Sequence, residues 1–207
     1  MKPDRITSKH FFILLLFVVL TCIQFYSVIL NFNTHVAGNK GDAWQNVWNI
    51  YWVKTTVLEK AQNPYYTDLL HHPHGTTLAL HTLSPLNSVI GALLSYVISF
   101  TESYNVVFLA NFALSGFSMY LLAFYLTKNR FAAFVAGCIF AFSPYHLGHG
   151  LGHMNLISLG WMPLFVLYLL KRLKHTRLKT RGMQHSFLYS LPYHQYTTQH
   201  FLFFFQH

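Results

Sequence analysis

Apolar residues in this chain come in runs. Residues 11–31, "FFILLLFVVLTCIQFYSVILN", carry no charge over 21 positions. At about 1.5 Å per residue, such a helix covers a hydrocarbon core of roughly 30 Å. Runs 105–127, 131–147 and 154–170 predict three further spans. A fifth run, 84–100, is apolar but short and opens at the turn-like "SPLN". Between the first two spans the pattern changes. Apolar residues fall at 44, 47, 48, 51, 52, 57 and 58, and Trp44, Trp48 and Trp52 stand four apart on one helical face. Tryptophan favours the membrane–water interface, so 43–60 is expected to be an amphipathic helix lying on the outer leaflet and stopping before the turn signal "NPYY".

Composition points the same way. Hydrophobic residues make up 53% of the chain and charged residues 9%, against about 25% charged in soluble domains. The net charge of +9 raises nucleic acid as a partner, but the cations are clustered beside apolar runs. Six of the 14 Lys and Arg lie between Lys171 and Arg181, and Lys2, Arg5 and Lys9 precede the first span. That arrangement reads as membrane orientation and excludes nucleic acid as a partner. The first run is too long for a signal peptide and has no small-x-small cleavage site, so it is expected to be a retained anchor with a cytoplasmic N-terminus. If 84–100 crossed the bilayer, "KNR" (128–130) and the 171–181 cluster would fall outside. With 84–100 interfacial or re-entrant, every basic cluster is cytoplasmic. The expected fold is therefore all-α, a polytopic membrane helix bundle whose first loop, 32–104, is external and carries the interfacial helix. Cys22 and Cys138 sit inside apolar runs as small packing residues.

That external loop holds four of the five acidic residues, Asp42, Glu59, Asp68 and Glu102. Glu59 beside Lys60 suits surface pairing, Asp68 suits a turn cap, and Glu102 falls in a short connector. Asp42, in "NKGDAWQNVW", follows a glycine at the foot of the amphipathic helix. It is expected to be an N-cap residue accepting from a free backbone N–H. A rigidly held carboxylate there also suits chemistry. Histidines cluster in "HHPHG" (His71, His72, His74), with His81 beyond, and in "HLGHGLGH" (His146, His149, His153). The second spacing would put three imidazoles on one helical face, a metal-ligand pattern, although Gly148 and Gly150 weaken a helix there. No phosphate-binding glycine loop with lysine, GxSxG or HExxH motif is present, which leaves soluble-enzyme classes without support. After Arg181 the chain turns rich in His and Gln and stops in an apolar run. Residues 176–207 are expected to be a basic, aberrant tail, as of a truncated or frame-shifted reading frame.

The order of features is itself a pattern: a span, "GD", an external helix, "NPYYTDLLHHPHGTTLALHTLSPLN", a span ending in "KNR", a span ending in "AFSPYHLGHGLGHMNL", and a span ending in "KR". Over residues 5–175 it resembles the N-terminal module of bacterial GT-C membrane glycosyltransferases, which move a sugar from a polyprenyl-phosphate donor to an acceptor on the outer side of the plasma membrane. The resemblance implies a catalytic role for Asp42, either as general base or as a holder of a divalent cation (Mg or Mn) near the donor phosphate. It implies donor or acceptor contacts for His81 and His153, with Tyr145 and Trp44 walling the sugar. The implied partners are the polyprenyl-phosphate sugar and the lipid bilayer. Relatives carry more spans than this chain. The competing expectations are a non-enzymatic membrane accessory protein, which needs an exposed apolar face on 43–60, and a small metal-handling transporter.

Overall fold

The computed structural model describes residues 8–39, 41–79 and 81–174, so the expected tail lies outside the described residues. The chain is mostly helical: α1 (Ser8–Gln24), α2 (Tyr26–Leu30), α3 (Asp42–Val53) running into a π-helical stretch (Lys54–Glu59), α4 (Pro85–Leu94), α5 (Phe100–Thr127), α6 (Arg130–Ala141) and α7 (Pro144–His149). Residues 161–167 are helical again and are called α8. The described strands are β1 (Tyr66–Thr67) and β2 (Thr76–Thr77), paired antiparallel. One unit ends at Leu167. A second begins at Tyr168, and its described residues, 168–174, are helical.

α5 is the central post and touches α1, α3, α4 and α6. It begins five residues before the expected span because Ser99 and Glu102 form a capping box: Ser99 Oγ accepts from the Glu102 N–H, and the Glu102 carboxylate accepts from the Ser99 N–H (3.2 and 2.8 Å). Glu102 is thus a helix-start residue, not part of a connector. Its serines and asparagines bond to nearby carbonyls (Asn111 to Val107, Ser115 to Asn111, Ser118 to Ser115), which lets an apolar helix carry polar side chains on a buried face.

The ends of α5 pack differently. Toward Thr127, Phe17 of α1 is fully buried in a notch between Gly116 of α5 and Gly137 of α6. Toward Phe100, Phe25 sits between Phe108 and Phe112 (ring centroids 5.0 and 4.6 Å) where α1 gives way to α2. The expected 11–31 span is therefore interrupted at Phe25. There too, Asn105, fully buried, ties down the chain leaving α2. Its amide donates to the Phe32 and His35 carbonyls (both 2.8 Å) and its oxygen accepts from the Ala37 N–H (2.9 Å).

Three other expected elements differ. The 43–60 helix buries one face and leaves Trp44, Tyr51 and Leu58 exposed on the other. Ala43, Val47, Ile50 and Val53 are buried and join the core with Ala92 of α4, Val107, Phe108 and Phe112 of α5, and Met154 and Ile157. The tryptophans do not share one exposure: Trp44 is half exposed, while Trp52 is buried, stacks on Trp48 (5.6 Å) and donates to the Pro64 carbonyl. The 131–147 run breaks at Phe142–Ser143. Pro144 disfavours helical backbone in the residue before it, and Ser143 is extended and caps α7 through the His146 N–H. The 154–170 run is turns over 154–160 and helical only from 161, because Met154 and Ile157 are spent on the core. The 84–100 run is helical over ten residues, about 15 Å.

Among the described residues, two stretches are long and apolar enough to cross a membrane: α5 (Phe100–Thr127), and Arg130–His149, in which α6 and α7 follow each other across the break at Phe142–Ser143. Large apolar side chains are exposed along α1 (Phe11, Phe12, Leu15, Ile23) and α6 (Phe131, Ile139). An exposed apolar surface of that extent suits lipid contact.

Candidate functional site

Gly41, not Asp42, holds the N-cap position of α3, and no side chain caps that end. Asp42 is the first helical residue, so the expected cap role is corrected and its carboxylate points outward, 56% exposed. Its partner is His153, with Nε2 3.4 Å from Asp42 Oδ2. A negative charge in the first turn of a helix is favoured by the backbone dipole.

The contact exists because two glycine-bearing loops lie against each other. A Cβ at Gly152 would come within 2.9 Å of the Asp42 Cβ, and one at Gly38 (φ +103°) within 2.7 Å of the Leu151 carbonyl oxygen. The Asn39 N–H donates to that carbonyl (2.6 Å). Asn46, buried one turn into α3, donates to both the Asp42 and Gly152 carbonyls (2.8 and 2.7 Å). Beneath them, Asn87 of α4 donates to Ser84 Oγ, Ser158 Oγ and the Met154 carbonyl, and accepts from Asn111 of α5. The asparagines thus fix the 150–158 loop to α3, α4 and α5. Their signal in the sequence was an amide residue four after Asp42 and a glycine just before His153.

From Asp42 a line of side chains runs along α7. The His153 ring meets His149 edge-to-face (5.3 Å), and His149 meets Tyr145 the same way (4.4 Å). Tyr145 is 54% exposed. Trp44 is also exposed, but two residues after Asp42 on α3 it faces away from the carboxylate and is not brought to the pair. His81 reaches the same helix one turn further on: its Nε2 hydrogen-bonds the Gln45 side-chain amide, and its ring meets Trp48 (6.2 Å). Burial holds the His81 imidazole below its ordinary pKa, so it is neutral at neutral pH. Its Nδ1, Thr82 Oγ1 and Asn49 Oδ1 are buried without a hydrogen-bond partner.

The expected three-histidine face of α7 does not form. His146 turns into the core while His149 and His153 face outward, because α7 ends at His149. His71, His72 and His74 lie on the exposed loop between β1 and β2. Among the described residues no three His, Cys, Asp or Glu side chains gather as a metal site. The Asp42 carboxylate alone is a partial donor set for a hard divalent cation, which fills the rest of its shell with water and substrate phosphate oxygens.

A family model matches residues 10–203 of the chain, covering the site, the helices and most of 176–207. The chain belongs to the family described as a domain of unknown function, DUF6311. No curated protein and no solved structure matches it.

Proposed function

We propose that this DUF6311 chain is a membrane glycosyltransferase module of the GT-C type, taking a sugar from a polyprenyl-phosphate donor on the outer side of a bacterial plasma membrane, with its N-terminus in the cytoplasm. The observation that carries the reading is the Asp42–His153 pair. A carboxylate with no capping duty is held at a helix start, half exposed and 3.4 Å from an imidazole that arrives from a separate loop.

In this reading the acceptor hydroxyl attacks the anomeric carbon of the donor, the bond from that carbon to the phosphate oxygen breaks, and polyprenyl phosphate leaves. Asp42 accepts the hydroxyl proton. The His153 Nε2–H orients the carboxylate, leaving its second oxygen for the acceptor. Tyr145 and His149 supply an aromatic wall for the sugar. His81, with Nε2 on Gln45 and Nδ1 buried, braces α3 beside the site. The accessory-protein reading has less support, since the apolar face of α3 on which it relied is buried against α4 and α5.

The test is release of polyprenyl phosphate from a panel of polyprenyl-phosphate sugars by the full chain in proteoliposomes. Asp42→Asn is expected to lower the rate about a hundredfold or more with unchanged expression and melting. Equal rates in wild type and Asp42→Asn, or no turnover of any donor, would sink the reading.

A further inference from the structure

His146 is fully buried, and both its ring nitrogens face backbone carbonyls. Nδ1 lies 2.7 Å from the Ala141 oxygen and Nε2 2.9 Å from the Ile157 oxygen. A carbonyl only accepts, and a neutral imidazole has one N–H and one lone pair, so it can satisfy one of the two. Turning the ring over would replace both nitrogens with C–H and lose both bonds. The arrangement is complete only for an imidazolium.

We propose that His146 is a doubly protonated clasp that positions the 150–158 loop, and with it His153, against α3. Three contacts favour the charge. Ala141 is the last residue of α6, so its carbonyl stands at the negative end of that helix. The Phe112 ring lies face-on to the imidazole at 4.0 Å and 20°, a cation–π geometry. Two charge-assisted bonds replace the solvent the ring gives up. The titratable group that acts on it from its own helix is His149. From the other elements packed on it, His146 faces the Phe112 ring of α5, the Ala141 carbonyl of α6 and the Ile157 carbonyl of the loop, none of which titrates.

Loss of a proton leaves one carbonyl facing a lone pair. The Ile157 side is the one able to move, since Ala141 is anchored in α6 while Ile157 lies in a turn. The clasp is therefore made in the protonated form and opens as pH rises through the titration of the ring. This holds whether or not the chain transfers sugars, because it concerns the loop and not the reaction.

The experiment uses the full chain in detergent micelles. Nitrogen-15 histidine spectra report the protonation of each ring nitrogen, with His146→Gln identifying the signal. Amide exchange of 150–158 is followed in parallel against pH, as protection factors, in wild type and in His153→Gln. The expected result is that both His146 nitrogens carry protons at about pH 6, and that 150–158 loses about tenfold in protection as the ring deprotonates while α5 keeps its own. The loss should persist in His153→Gln, which separates the clasp from the Asp42–His153 contact. A single-N–H tautomer at that pH, protection independent of pH, or a pH response abolished by His153→Gln would each overturn the clasp. Should His146→Gln fail to fold, the exchange measurements on wild type and His153→Gln still decide.

Discussion

Around Phe17, α1, α5 and α6 are held together by what their side chains lack. Gly116 and Gly137 have no Cβ, and the phenyl ring fills the space. Around α3 the closure runs the other way: Asn46, Asn87, Asn105 and Asn111 reach across gaps and bond to backbone carbonyls and to one another. Small residues allow close helix approach where no water competes. Amide side chains hold irregular loops whose backbone groups have no helix to satisfy them. The first region can be apolar throughout because it only has to pack. The second carries a polar site, and its loops have to be held in one arrangement without a regular ladder.

The largest expected effect breaks the first region. Gly137→Leu puts a side chain where a Cβ alone would lie 2.5 Å from Phe17 and 2.6 Å from the Gly116 oxygen, and is expected to cost about 3 kcal/mol or more, read as a collapse of the melting temperature in detergent. Asn105→Leu breaks the second by orphaning three backbone groups, at about 2–4 kcal/mol, with amide exchange rising over 32–37. Gly152→Ala sharpens the contrast. Its Cβ meets the Asp42 Cβ, so a modest loss of about 1 kcal/mol should come with a disproportionate loss of activity as Asp42 and His153 part. A double-mutant cycle on Asp42 and His153 should give less than about 0.5 kcal/mol of coupling, vanishing in high salt, because both partners are largely exposed. The smallest effect is His81. Its folded pKa is lowered, so the unfolded chain binds the proton more readily. Stability should fall slightly as pH drops below about 6.5, and His81→Gln should remove that slope in pH-dependent melts.

Much of this was visible in the sequence where one period or one run dominated. The 105–127 run gave α5, and "GD" with "HGLGH" gave the two halves of the site. What the sequence did not disclose were choices between equally apolar fates. The 43–60 pattern fits a helix on a lipid surface or one buried against α4 and α5, since periodicity reports a face and not what covers it. Residues 154–160 are apolar enough to span, but Met154 and Ile157 serve the core. Asp42 after Gly41 reads as a cap, and the sequence does not show that Gly152, 110 positions after Asp42, packs against it at the helix start.

The asparagines also imply an order of assembly during synthesis. Every partner of Asn105 (Phe32, His35 and Ala37) precedes it in the chain, so when α5 leaves the ribosome its costly amide finds acceptors already in place. Asn46 and Asn87 instead wait for Gly152, Met154 and Ser158. Helices α1 to α6 are therefore made before the loop bearing His153 exists, and the Asp42 carboxylate meets its imidazole late in a vectorial build.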